Sequence, residues 1–141
     1  MKLTYDPGDG LVFWETISRI PGYPPGETMP IRHMLFESNA LFRLPEILGA
    51  VSADSKEPVQ VVMDWTPMRR GSDSLKPLVL ATLKSAGWHT DSVILEPDAA
   101  GQVHTDMPHI EAVKSRLRPN VAVVSVGSGT ITDVAKHACF L

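Results

Sequence analysis

The sequence predicts an α/β fold in which a parallel β-sheet carries helices on both faces. Short apolar runs alternate along the chain with segments whose apolar residues recur at helical spacing. The runs are continuous, as is typical of parallel strands that are buried on both faces. Consecutive parallel strands need helical crossovers, and right-handed crossovers distribute the helices over both faces of the sheet.

Residues 1–34 are predicted to form an arm outside this domain, because prolines and glycines dominate them. Prolines fix extended or turn conformations and block helices. Between two Pro/Gly clusters, residues 11–17 fit either a strand or a single amphipathic turn. We expect the arm to dock on the body, since Phe13, Trp14 and Ile17 are unfavourable in a free tail.

Residues 35–141 are predicted to form the α/β domain itself. Its strands are expected over 33–37, 59–64, 92–95 and 121–126, where apolar residues cluster between turn signals.

Three intervening helices are predicted from apolar stripes and from their start and stop signals. The first tolerates Pro45 in its first turn, and the second begins after Ser74 and ends before Gly87. The third begins after Asp106 and is broken at 119–120. In chain order, their expected apolar stripes are Leu44, Ile47, Leu48 and Val51; Leu75, Leu78, Val79, Leu83 and Ala86; and Ile110, Val113 and Leu117.

The segment 121–136 is typical of a strand, a glycine turn and a helix. Its six uncharged residues 121–126 lead into 127–129, Gly-Ser-Gly, and a helical pattern follows at once. Free N–H groups at a helix N-terminus suit a phosphate, and glycines let the backbone approach a diphosphate. The alternative is an ordinary tight turn. The motif departs from the dinucleotide fingerprint, because Thr132 replaces its third glycine, and it lacks the G-K-[ST] of a P-loop.

Asp64 is predicted at the carboxyl end of the second strand, where open α/β sheets bind ligands. Its carboxylate can accept hydrogen bonds from ribose hydroxyls and repels a 2′-phosphate; alternatively, it caps a loop turn. Arg69 and Arg70 follow, in a solvated loop or beside a 2′-phosphate, so the preference between NAD and NADP stays open. Asp133 is expected in the first turn of the last helix, where it organises the N–H groups of the loop.

Charge and composition narrow the class of protein. A net charge of −3 gives no reason to expect nucleic acid or an anionic membrane surface as a partner. Cys139, the single cysteine, excludes an internal disulfide, fits a cytoplasmic location and is expected to be buried. His104 and His109 are five residues apart, which does not place them on one helix face, so we expect no metal site there.

The glycine segment resembles that of the superfamily of iron-containing alcohol dehydrogenases, glycerol dehydrogenases, sn-glycerol-1-phosphate dehydrogenases and dehydroquinate synthases. Members read roughly V-G-x-G-[ST]-x-x-D-x-A-K, and the wording GSGTITDVAK is most similar to the glycerol-1-phosphate dehydrogenases. The resemblance runs from about residue 35 to the end. The matching residues are Gly127, Gly129, Thr130, Asp133, Ala135 and Lys136.

The resemblance implies a Rossmann-like domain of the dehydroquinate synthase type, incomplete at its C-terminus, that binds NAD or NADP. In the superfamily, one Asp and two His in segments after the glycine motif hold the catalytic zinc or iron. We therefore expect the catalytic and metal-binding residues outside this chain and no dehydrogenase activity from the chain alone. The cofactor-binding residues implied are Asp64, Gly127, Ser128, Gly129, Thr130, Ile131 and Asp133.

This reading makes the chain the cofactor-binding part of an NAD(P)-dependent, metal-dependent polyol or polyol-phosphate dehydrogenase. The alternatives are a standalone nucleotide-binding or interaction module without catalysis, and a dehydroquinate-synthase-like lyase fragment. Relatives associate through their N-terminal domains, which implies a homo-oligomer. The last helix supports the same expectation, since its sequence carries more apolar residues than a free end should: Ile131, Val134, Ala135, Ala138 and Phe140.

Overall fold

The computed structural model describes residues 15–16, 18–22, 35, 37–51 and 58–141. The chain divides into two compact units, Met1–Arg43 and Leu44–Leu141. In the first unit, residues 15, 16 and 18 are helical, and a 3₁₀ helix spans Ala40–Arg43. The rest of the segment 11–17 lies outside the described residues. Most of the arm and of the strand predicted over 33–37 lies outside the described residues; Leu35 and Glu37, which are described, belong to no strand.

The described residues of the second unit form four α-helices and five strands. In chain order they are α1 Leu44–Val51, β1 Val59–Asp64, β2 Arg69–Arg70, β3 Asp73–Ser74, α2 Leu75–Ser85, β4 Thr90–Leu95, α3 Met107–Lys114, β5 Val123–Val126 and α4 Gly129–Phe140.

A parallel sheet of order β4-β1-β5 forms the centre of this unit. The chain goes from β1 to β4 on one side and then crosses to β5 on the other side. This reversal creates a topological switch point between the carboxyl ends of β1 and β5, the place where doubly wound sheets bind ligands. The predicted α/β class, a parallel sheet flanked by helices, is confirmed, with three strands in its described part.

The central strand β1 is buried at every position, since each of its residues is at most 9% exposed. On one face, Val62 packs with apolar residues of β4, α3 and α4 in a single cluster. Val61 and Met63 point to the opposite face, because side chains alternate along a strand. Burial of each of these valine and methionine side chains contributes about 1.5–3 kcal/mol to stability, so β1 anchors both layers of the unit.

Gln60 is a fully buried polar residue in this apolar strand. Its Nε2 donates to the Arg116 carbonyl at 2.9 Å, and its Oε1 accepts from the Arg118 N–H at 2.6 Å. Nε2 also lies 3.4 Å from Oδ2 of Asp91. A buried amide is tolerated only when its polar groups are bonded, and here they fasten the loop that leads from α3 into β5.

The boundaries of three elements differ from the prediction. The helix that begins after Asp106 ends at Lys114, before Leu117, because Gln60 binds the backbone groups that a longer helix would use. Leu117 still packs against the apolar cluster. The other two are strands: β4 begins two residues earlier than expected, at Thr90, and β5 begins at Val123 rather than 121.

Three side chains predicted on an apolar stripe or in the core are exposed: Val51 at 47%, Ala86 and Cys139. Ala86 lies beyond the last turn of α2, where Gly87 reverses the chain at φ +85° and Trp88 enters the core instead. Cys139 lies on the exposed side of α4. Although the residue is exposed, neighbouring atoms partly shield the thiol from water, and this desolvation raises the pKa of Cys139. The short β2–β3 hairpin was not predicted; Gly71 at φ +60° forms its turn.

The apolar stripe of α4 is covered within the chain, which corrects the expectation that it is exposed. Ile131, Val134, Ala135 and Ala138 are each at most 4% exposed and pack in the cluster with α3. Only the end of the helix carries large exposed apolar side chains in this region, Phe140 at 79% and Leu141 at 63%. The homo-oligomer therefore stays a prediction of the resemblance. Among the described helices, none has the length and apolar character that crossing a bilayer requires.

We predict that Gln60→Leu lowers the free energy of unfolding by about 1–3 kcal/mol, because it removes the partners of two part-buried backbone groups, the Arg116 carbonyl and the Arg118 N–H. Urea denaturation followed by circular dichroism measures the change. Arg118→Ala is the matched control: it removes the exposed Arg118–Asp91 ion pair at 3.0 Å but keeps the backbone N–H. It should cost less than about 1 kcal/mol. Equal losses in the two variants would contradict this role of Gln60.

Candidate functional site

A cleft of about 550 Å³ opens at the carboxyl edge of the sheet, and we call it the switch-point cleft. Loops from all three parallel strands form it. Its lining residues are Asp64, Trp65, Thr66 and Pro67 after β1; Pro97, Gly101, Gln102, Val103 and His104 after β4; and Ser128, Thr130 and Ile131 after β5. Four of the seven predicted site residues thus meet in one concave surface: Asp64, Ser128, Thr130 and Ile131.

The two glycines of the turn have different surroundings. A Cβ at Gly127 would lie 2.5 Å from Cγ1 and 2.9 Å from Cβ of Ile131. Gly127 therefore lets α4 pack closely on the end of β5. Its approach to a diphosphate stays a prediction. A Cβ at Gly129 would have no described atom within 4 Å. The space in front of Gly129 is open, as a site for an approaching ligand requires.

The first turn of α4 presents backbone N–H groups beside the cleft. The first helical bond at this end runs from the Thr132 N–H to the Ser128 carbonyl at 3.2 Å. The N–H groups of Gly129, Thr130 and Ile131 precede that bond and have no acceptor within the helix. Ser128 occupies the N-cap position, but its side chain makes no capping bond with the described residues. This end of the helix can bind an anion.

Asp64 forms a buried ion pair with Lys76 of α2. This partner was not predicted from the sequence. Lys76 Nζ contacts Oδ1 of Asp64 and also donates to the Asp64 carbonyl at 2.5 Å and the Thr66 carbonyl at 2.6 Å. The side chains of the pair are 10% and 11% exposed. Lys76 thereby fixes both the carboxylate and the backbone at the end of β1.

The ion pair keeps Asp64 ionised at the wall of the cleft. Burial raises the pKa of Asp64, but the hydrogen bonds from Lys76 and Thr66 and the charge of Lys76 outweigh it, so the pKa lies below its ordinary value. One sequence signal pointed to Lys76: a cation in the first turn of a helix opposes the helix dipole and needs a compensating partner.

The loop after β4 is closed by its own aspartate. Oδ1 of Asp98 accepts from the N–H groups of Ala100 and Gln102, each at 2.9 Å. Both hydrogen bonds lower the pKa of Asp98, and the one from Gln102 has the larger effect. His104 Nε2 lies 3.4 Å from Oδ2 of Asp98 and faces the cleft. The loop therefore carries a histidine to the wall opposite α4.

His109 lies outside this arrangement. Its Nδ1 is 2.5 Å from Oδ1 of Asp106, and that oxygen also accepts from the His109 N–H at 3.1 Å, so Asp106 caps α3 as predicted. These bonds lower the pKa of Asp106. The rings of His104 and His109 are 6.3 Å apart. The described residues contain no group of three or more His, Cys, Asp or Glu that could hold a metal ion.

Asp133 and the paired arginines do not line the cleft. Since α4 begins at Gly129, Asp133 falls beyond the first turn, which corrects its predicted position. Its carboxylate accepts from Lys136 at 2.8 Å, and this bond lowers its pKa. Arg69 and Arg70 are exposed in the β2–β3 hairpin, where Arg70 lies 3.9 Å from Asp73.

Comparison of the chain with protein-family models, with curated proteins and with solved structures finds no match. The resemblance of the glycine segment to the dehydrogenase superfamily therefore rests on the motif residues themselves.

We predict that Gly127→Ala lowers the free energy of unfolding by about 1–3 kcal/mol, because the new methyl group overpacks against Ile131. Gly129→Ala is the matched control. Its Cβ enters open space, and alanine favours a helix, so stability should be unchanged or higher by up to about 1 kcal/mol. Urea denaturation of both variants measures the difference. A Gly127→Ala variant as stable as the wild type would contradict the close packing of this turn.

We predict that Lys76→Met destabilises the protein by about 3 kcal/mol at pH 7, because it leaves a buried carboxylate without its counter-charge. In the wild type, the lowered pKa of Asp64 adds stability above its ordinary pKa, near 3.8, and this contribution is lost as the pH falls through the folded value. In the variant, the hydrogen bond and the charge of Lys76 no longer lower the pKa of Asp64, so the carboxylate takes up a proton at a higher pH than in the wild type, and protonation relieves the unpaired charge.

The difference in stability between wild type and Lys76→Met should therefore narrow as the pH is lowered towards 4 and below. Urea denaturation at a series of pH values measures it. The double variant Asp64→Asn, Lys76→Met is the control, since it has no carboxylate at this position. A difference that is independent of pH would show that Lys76 acts only through packing.

Proposed function

We propose that the switch-point cleft binds the dinucleotide NAD(H) or NADP(H). In this proposal, the chain is the cofactor-binding part of a metal-dependent polyol or polyol-phosphate dehydrogenase, such as the glycerol-1-phosphate dehydrogenases that the motif resembles. The observation that carries the binding proposal is the meeting of Asp64 with the first turn of α4 across one cleft at the topological switch point.

The residues of the cleft fit a dinucleotide in chemistry and in space. The N–H groups of Gly129, Thr130 and Ile131, with the hydroxyls of Ser128 and Thr130, are donors for diphosphate oxygens. The open space at Gly129 leaves room for the phosphates.

Asp64 is the acceptor for ribose hydroxyls on the other wall. Lys76 holds its carboxylate in one orientation and in the ionised form. A fixed, ionised carboxylate accepts hydrogen bonds from two neighbouring hydroxyls better than a mobile one, because less freedom is lost on binding. The same charge disfavours a 2′-phosphate, although Lys76 offsets part of that repulsion.

The chemistry of such a site comes from its cofactor, whose nicotinamide exchanges a hydride with the substrate. The residues of this chain bind and orient the dinucleotide. In the superfamily that the motif resembles, the metal that polarises the substrate hydroxyl is held by one Asp and two His in segments that follow the glycine motif.

We predict that Gly129→Val abolishes dinucleotide binding while the fold survives. The branched side chain occupies the space open to the diphosphate, yet no described atom lies near enough to clash with its Cβ. Isothermal titration calorimetry with NADH and NADPH measures binding, and circular dichroism checks the fold. Gly49→Val is the matched control, because its Cβ also enters open space but lies in α1, away from the cleft. Unchanged binding to Gly129→Val would refute the site.

A further inference from the structure

Trp65 is the most exposed tryptophan that the structure describes, with 66% of its surface open to solvent. It directly follows Asp64 at the end of β1 and lines the switch-point cleft. Trp88, by contrast, is 8% exposed and belongs to the core. An exposed indole contributes little to folding, whereas tryptophan is favoured on surfaces that bind partners or ligands.

The indole is held in place by a hydrogen bond across the cleft edge. Its Nε1 donates to Oε2 of Glu96 at 3.1 Å, and Glu96 follows the end of β4. The bond joins the loops after two neighbouring strands and restricts rotation of the ring. A ring that is already oriented loses less freedom when a planar ligand stacks on it.

The charges of the cleft decide which part of a ligand lies at this ring. Glu96 bears a negative charge at the indole edge, and Asp64 is the preceding residue. The first turn of α4, which also faces the cleft, is the electropositive end of a helix. A phosphate is therefore favoured at α4 and disfavoured at Trp65, where a neutral planar group fits.

We infer that Trp65 is the stacking platform for the nucleobase of the nucleotide bound in the switch-point cleft. This inference rests on the proposed function and adds the residue that recognises the base. Stacking of a base on an aromatic side chain is tolerant of base identity, so Trp65 contributes affinity for a nucleoside rather than selection among bases. The phosphates contribute separately, through α4.

The test compares a ligand that has a base with one that lacks it. Dissociation constants of ADP and of inorganic pyrophosphate are measured by calorimetry for wild type, Trp65→Phe and Trp65→Ala. Trp65→Ala should weaken ADP about tenfold, within the range that loss of one stacked base produces. Trp65→Phe should stay within about threefold, since it keeps an aromatic face, and pyrophosphate should change less than about twofold in both variants.

Tryptophan fluorescence gives a second readout. ADP should quench the emission of the wild type, and most of this quench should be lost in Trp65→Phe even though that variant still binds. Because Trp65 is exposed, its replacement should leave the fold intact, and circular dichroism of Trp65→Ala checks this.

The outcomes separate the two proposals. If wild type binds ADP and Trp65→Ala binds it equally well, the stacking role is wrong and the proposed function stands. Equal weakening of ADP and pyrophosphate also overturns the stacking role, since Trp65 would then support the cleft as a whole. If wild type binds neither ligand, both proposals fail. A fall in the mass measured by light scattering on Trp65→Ala would overturn the inference in favour of a contact between copies of the chain.

Discussion

The complete burial of β1 is the constraint on which the rest of the α/β unit depends. An internal parallel strand with both faces covered must be apolar along its length, and any polar side chain in it must find a partner. β1 carries two polar side chains, Gln60 near its start and Asp64 at its end. Each one bonds to a different neighbouring segment, so the strand organises both ends of the unit.

Gln60 stabilises the fold, whereas Asp64 lies at the candidate site. Gln60 binds the backbone of residues 116 and 118 and thereby sets where α3 ends and how the chain enters β5. Asp64 binds Lys76, which holds the carboxyl end of β1 against α2. With the entry to β5 and the end of β1 both fixed, the loop between β5 and α4 is held close to Asp64. The switch-point cleft is the consequence of these two attachments.

The strands and helices of the α/β unit were largely predicted from the sequence, and the features that were not predicted have physical causes. Continuous apolar runs predicted the parallel strands, and the glycine turn predicted the start of α4, because both signals are local. Lys76 was missed because its partner lies across the fold, twelve residues earlier in the chain. The end of α3 was misplaced for the same reason, since Gln60 acts on it from another strand. The contact of Gly127 with Ile131 was not predicted, because it depends on the angle at which α4 leaves the sheet.

The most direct test of the central claim, that the first turn of α4 and the end of β1 form one nucleotide site, is an NMR titration. The ¹⁵N-labelled chain is titrated with NADH while backbone amide shifts are followed. We expect the largest shifts at two groups of residues, the first turn of α4 (Gly129, Thr130 and Ile131) and the end of β1 (Asp64 and Trp65). The two groups should saturate together. Shifts confined to other elements, such as α1, or separate saturation of the two groups, would contradict it.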